Sequence, residues 1–177
     1  METFEEQIKS AVGLNIADEL VAKRFLERLK EGRYTRDEYP RSHYCVYFLP
    51  YNPGTRQVFI VHHKKSGLWL SPGGHIDRGE TLIHALNREI QEELGIRDKV
   101  KEGTWPFLLT ITPIDNSVQP CKEHLDIWYR FPTDGSDLTV DPREFHATQW
   151  VTIDDAKKII TDGPNLTALS KIEKFFY

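Results

Sequence analysis

Cysteine is scarce: in 177 residues only Cys45 and Cys121 carry thiols. Two cysteines so far apart make no disulfide framework and lie outside any metal-ligand spacing, which predicts a reducing compartment, a cytoplasmic location and two small core residues. Excess positive charge is lacking too. Lys and Arg total 23 against 27 Asp and Glu, a formal net charge of −4, so no general basic field draws nucleic acid or an anionic membrane. A polyanionic substrate would have to be held locally, through a metal. No apolar run approaches the roughly 18 residues of a membrane span, and the N-terminal "METFEEQIKSAV" is acidic, without the apolar core of a signal peptide. Internal repeats and low-complexity segments are also missing. What remains is an ordinary globular composition, sufficient for one sizeable core.

Residues 1 to about 41 read as a helical hairpin. Phe4, Ile8 and Val12 recur at four-residue spacing, Gly13 interrupts them, and Val21, Phe25, Leu26 and Leu29 resume the pattern before Gly32. The charges of "KRFLERLK" read as a solvated face, with a homodimer contact as the alternative. From Ser42 to Tyr177 the period changes. "HYCVYFLPY" and "RQVFIVHHK" flank the turn signal "NPGT" and predict a strand hairpin. "GLWLSPGGH" reads as a short strand entering a glycine turn, "PFLLTITPI", "EHLDIWYRF" and "ATQWV" as further strands. Thr81 can cap a helix over about 81–94, Thr152 and Asp155 resemble a capping box, and Pro164 with Asn165 opens a last helix. The pattern predicts an α/β fold, a mixed sheet covered by helices.

The helix after Thr81 carries an anomaly. At about 100° per residue, with Leu82 at zero, Leu86, Ile90 and Leu94 span an arc to near 120°, while Glu93 falls near 20°, Glu89 near 340° and Glu92 near 280°. Glu93 thus lies among the leucines. Burying like charges costs several kcal/mol unless something compensates them, and a divalent cation does so. An acidic solvated helix with Arg88 paired to Glu92 is the alternative, but it leaves Glu93 unexplained. Oxygen-only ligands at i, i+3 and i+4 favour Mg²⁺, with Mn²⁺ possible; no cysteine or histidine cluster offers a zinc site at the level of sequence.

Gly74, five residues, Glu80, seven residues and then "REIQEELGI" match every defined position of the Nudix box, and the chain resembles the Nudix hydrolases over about residues 42–165. The resemblance implies a Nudix-type α/β/α sandwich, with the N-terminal hairpin outside it. It also implies hydrolysis of a nucleoside diphosphate linked to another group, such as a nucleotide sugar, ADP-ribose or a nucleoside triphosphate. By this resemblance Glu89, Glu92 and Glu93 are metal ligands, Arg88 and Glu80 brace them, and a carbonyl of the glycine pair, that of Gly73 by analogy, joins the metal. The general base stays open between Glu89 and Glu144, which lies six residues before Trp150 as in some family members; Glu123 and Asp126 are weaker candidates.

Histidines offer less. His62 and His63 point to opposite sides of a strand and His84 to the outer approach of the helix, whereas His75, His124 and His146 are candidates for substrate phosphate, and none has metal-ligand spacing with another. Trp69, Trp105, Trp128, Tyr129 and Trp150 could stack on a base, though core packing suits each of them better. Pro113, seventeen residues past Ile96, nearly matches the spacing of the ADP-ribose pyrophosphatases. Oxidised nucleoside triphosphates, RNA decapping and a non-catalytic nucleotide-binding module remain as alternatives, as does, more remotely, an isopentenyl diphosphate isomerase using Cys45.

Overall fold

The computed structural model describes residues 2–97, 99–115 and 120–176. Two helices come first, α1 (Phe4–Gly13) and α2 (Glu19–Lys30), followed by strands β1 (Ser42–Asn52), β2 (Gln57–His63), β3 (Trp69–Leu70) and β4 (Gly73–His75). Helix α3 (Leu82–Leu94) precedes β5 (Leu108–Pro113), β6 (Glu123–Pro132) and β7 (Phe145–Thr152), and α4 (Ile153–Ile159), α5 (Gly163–Ile172) and a 3₁₀ turn close the chain. Among the described residues no helix is long and apolar enough to cross a membrane.

Among the described residues the seven strands join one mixed sheet, and it does not close. Its central order is β3-β2-β1-β6-β5, with β4 also on β1 and β7 also on β2. β1 and β6 run parallel from Ser42↔Glu123 to Tyr51↔Pro132. β1 meets β2 only at the hairpin end, where the Asn52 side chain accepts from Gly54 and Thr55 amides, leaving room for β4 beside Cys45, Val46 and Tyr47. Alternation along β1 and β6 feeds a core on each face. Tyr44, Val46, Phe48, Leu125 and Ile127 pack under α3 and the N-terminal helices; Leu49, Tyr51 and Trp128 pack under α4 and α5. The result is a three-layered sandwich, as expected.

The N-terminal hairpin forms, but its charges are not simply a solvated face. Lys23 and Glu27 are exposed, whereas Arg28 is fully buried and donates to the carbonyls of Ser42 (3.0 Å), Gly32 (3.1 Å) and Arg33. Arg24 is tied to Glu123. These cations stitch α2 to the starts of β1 and β6. Tyr44 donates its hydroxyl to the Phe25 carbonyl at 2.7 Å, and the Gln7 side chain accepts from the Leu82 amide at 3.0 Å. Since the first amides of a helix lack internal partners, α1 finishes the start of α3. Two smaller corrections concern turns. Gly73 and Gly74 lie in β4 rather than in a turn, the turn being Asp77–Glu80, and α5 is capped by Asp162, with Asn165 one turn in.

Candidate active site

Helix α3 starts from Thr81, whose side chain accepts from the His84 amide, and ends at Gly95 in the left-handed conformation. Its apolar stripe buries Leu82, Leu86, Ile90 and Leu94 against the sheet. Glu93 goes in with them, only 5% exposed, and Glu89 is 8% exposed, while Glu92 is exposed. The wheel therefore ordered the three correctly.

Two backbone features admit these carboxylates. The Gly73 amide donates to Glu93 Oε2 at 2.8 Å. The Gly73 amide thus ties β4 to the acidic cluster. A Cβ on Gly74 would stand 2.4 Å from Glu89 Oε1, so glycine at 74 leaves the space that this carboxylate fills. At Gly73, φ is 147° and a Cβ would strike the Val46 carbonyl oxygen at 2.4 Å, which only glycine avoids.

Arg88 organises the cluster. Its guanidinium grips Glu80 with two bonds of 2.8 and 2.9 Å, reaches Glu89 Oε1 at 2.6 Å and Glu92 at 3.3 Å, and donates to the His75 carbonyl at 2.8 Å. Such a bidentate clasp fixes both planes, and the Arg88 bond holds the Glu80 carboxyl below its usual range against the effect of its own burial. Burial acts the other way on its neighbours. Glu89 is pushed up to about 7 by desolvation, in spite of Arg88, and Glu93 is raised well above the carboxylate range by burial and by the charges of Glu89, Glu144 and Glu92.

Glu144 is thus near enough for its charge to act on Glu93. It precedes β7, is half-buried, and lies 3.4 Å from the Lys65 ammonium. Of the weaker base candidates, Glu123 is engaged by Arg24 and Ser42 at the hairpin. Asp126 is fully buried, with Thr110 and Thr112 on Oδ2, no partner on Oδ1, and a carboxyl that burial raises to about 7.

Among the aromatic candidates, the buried Trp128 stacks on Tyr47 (4.8 Å between centroids) and its indole donates to Thr110. Trp69 stacks on His62, Trp150 packs on Phe59, Tyr129 is core and Trp105 is half exposed. His84 faces Glu102, His63 bonds Ser66, and His146 lies by His62.

One expectation is overturned. His75 and His124 meet His43 and Cys45, and one ligand atom from each of the four lies within 4.8 Å of the others. Histidines and a cysteine without ligand spacing in sequence are therefore clustered in space. Cross-strand pairing produces this: Cys45 opposes His75, and His43 opposes His124. Burial drives His43 and His124 down to about 4 and His75 to about 3, helped for His43 and His75 by the neighbouring imidazoles. All three rings are neutral near pH 7. As phosphate contacts, His75 and His124 would offer hydrogen bonds, not charge.

The architecture is a three-layered sandwich in which an acidic helix end, braced by an arginine, faces a glycine-bearing strand. The family model described as NUDIX domain matches residues 41–169, and the chain belongs to that family. It is 29% identical over 120 residues to an m7GpppN-mRNA hydrolase of Xenopus laevis, covering 59% of this chain and 40% of that protein. It is 28% identical over 123 residues to an RNA pyrophosphohydrolase of Helicobacter pylori, covering 66% and 79%. The match to the first curated relatives spans well under half of their length, 40%, 24% and 34% in turn. Among solved structures, the NUDIX domain of Shewanella oneidensis NrtR complexed with ADP ribose superposes with a TM-score of 0.61 at 14% identity, over 86% of this chain and 98% of that one, a likeness of fold.

Proposed function

We propose that the chain is a divalent-metal-dependent diphosphohydrolase that cleaves a phosphoanhydride bond in a nucleoside diphosphate linked to another group. The observation that carries this reading is the pair of buried carboxylates, Glu89 and Glu93, held by Arg88 and the Gly73 amide. The donor set fits a hard cation: burial, with the charge of neighbouring carboxylates added, raises the proton affinity of Glu89 and Glu93, which a dication would relieve. Glu89, Glu92 and Glu93 would hold Mg²⁺ or Mn²⁺. When bound, the ion supplies positive charge against the diphosphate and Lewis acidity toward water.

The protein's own groups do the rest. Arg88, locked on Glu80, keeps Glu89 in place. Glu89, buried in the cluster beside Arg88, is one candidate to accept a proton from attacking water. Glu144, by the Lys65 ammonium and acting on Glu93, is the other candidate base. Pro113, at the exposed end of β5, lies one residue from the spacing that the ADP-ribose pyrophosphatases carry, a near match that slightly favours a nucleotide sugar or ADP-ribose as substrate. The names of the two curated relatives support a second reading, an RNA 5′ end. A homodimer through the hairpin would have to use its outer face, where Leu14 and Leu20 are exposed.

The test is turnover of a panel with Mg²⁺: ADP-ribose, nucleotide sugars, nucleoside triphosphates including oxidised ones, dinucleoside polyphosphates and capped or triphosphorylated RNA. Release of nucleoside monophosphate from ADP-ribose or a sugar nucleotide is expected. Selective turnover of RNA ends would favour the second reading, and no turnover of any member would leave a nucleotide-binding module.

A further inference from the structure

We propose that His43, Cys45, His75 and His124 form a second metal site, separate from the glutamates of α3, which takes one zinc-class cation and clamps β4 to β1 and β6. Four side chains from three strands converge here, with ring centroids 4.8, 4.9 and 5.2 Å apart and ligand atoms within 4.8 Å. Tetrahedral zinc with nitrogen and sulfur ligands at about 2.0–2.3 Å sets them roughly 3.3–3.7 Å apart, so side-chain rotations of about 1 Å close the site. Three imidazoles and a thiol are borderline to soft donors. They discriminate for zinc and against magnesium, the reverse of the carboxylates of α3.

The alternative is a packed core cluster, and unpaired polar atoms argue against it. His43 is fully buried, yet neither ring nitrogen has a hydrogen-bond partner, and His124 Nδ1 has none either. The Tyr39 carbonyl is close enough to influence His43 but does not complete a bond. Buried polar groups are normally satisfied, and ligation would satisfy these. Charge agrees. A dication with one thiolate leaves one positive charge, and Asp126, opposite Cys45 in the sheet with Oδ1 unpaired, can balance it. His75 and His124 are only half-buried, which gives an ion a way in.

The clamp has an evident use. β4 is three residues long, too short to be fixed by pairing alone, and it carries both the Gly73 amide on Glu93 and the Gly74 space for Glu89. Alternation puts His75 on the face opposite Gly74, so the ion would hold β4 from behind.

The experiment uses the full untagged chain. Metal content is measured after purification, and the metal-free protein is titrated with zinc under excess Mg²⁺, then with Co²⁺ to look for thiolate-to-cobalt charge-transfer absorption. One zinc per chain is expected, with affinity lowered about tenfold or more in His75→Asn and the charge-transfer band lost in Cys45→Ser. Glu93→Gln should leave both intact. Should Cys45→Ser fail to fold, the half-buried His75 and His124 variants carry the test. Zinc binding unaltered by His75→Asn and His124→Asn, zinc lost in Glu93→Gln, or no zinc bound would each overturn the proposal.

Discussion

Replacing Gly74 by alanine separates the placement of a carboxylate from the integrity of the fold. The new Cβ would come 2.4 Å from Glu89 Oε1 and 2.6 Å from its Cδ, about 1 Å short of ordinary contact. Glu89 cannot absorb this in place, because Arg88 holds its Oε1 at 2.6 Å and is itself clasped by Glu80. The carboxylate must swing away. That forfeits a charge-assisted bond of about 1.5–3 kcal/mol, partly offset because Glu89 regains water, so the net loss should be about 1–2 kcal/mol. For a chain of this size the Tm should fall by roughly 2–8 °C. Displacing a reacting group by about 1 Å can cost on the order of 10²-fold in rate. Turnover of the substrate found by the panel, together with thermal unfolding, reads both quantities. The Glu89→Ala change, added to Gly74→Ala, should return stability but not rate. At Gly79, where φ is 88° and a Cβ meets nothing within 4 Å, alanine should cost stability alone. Gly74→Ala with undiminished kcat/KM would refute the idea that this glycine exists to seat Glu89.

Three further outcomes follow from the site. Glu93→Gln keeps an acceptor for the Gly73 amide but loses the charge, so calorimetry should show Mg²⁺ affinity falling by tenfold or more; unchanged affinity and activity would remove Glu93 from the metal site. Glu144→Gln should lower kcat with metal binding retained if Glu144 is the base, and full activity would leave that role to Glu89. In EDTA, the folded state keeps a proton on Glu89 up to about pH 7 that the unfolded chain releases near 4.5. Stability from this group is therefore complete below about 4.5 and lost as pH rises through 7, roughly 3 kcal/mol by linkage. Denaturant unfolding at several pH values should show this slope reduced in Glu89→Gln; equal slopes would contradict it.

The acidic helix was legible because its evidence is local: a 3.6-residue period, a threonine cap and a glutamate falling inside an apolar arc. Glu93 could be placed in the core without knowing what lay opposite. The histidine and cysteine cluster was not legible, since its members at 43, 45, 75 and 124 meet only through the parallel pairing of β1 with β6 and the three-residue pairing of β4 with β1. The one available hint was alternation, His43 with Cys45 in one strand and His124 with Asp126 in another, each pair on one face. Arg28 was misjudged for a related reason. A charged residue on an amphipathic helix reads as solvated until the carbonyls that receive it, those of Ser42, Gly32 and Arg33, are in position.

The bond from the Leu82 amide to Gln7 bears on where this protein begins as a physical object. The family match starts at residue 41, which suggests that the helices before it are an appendage. Yet one of them completes the hydrogen bonding of the helix that carries the glutamates, and Ile8, Ala11, Phe25 and Leu29 roof the same layer of the sheet. The family match and the packing of the core draw different borders on this chain. A fragment cut at the border of the family match would hold every residue of the acidic cluster and lack the piece that squares off the helix beneath it.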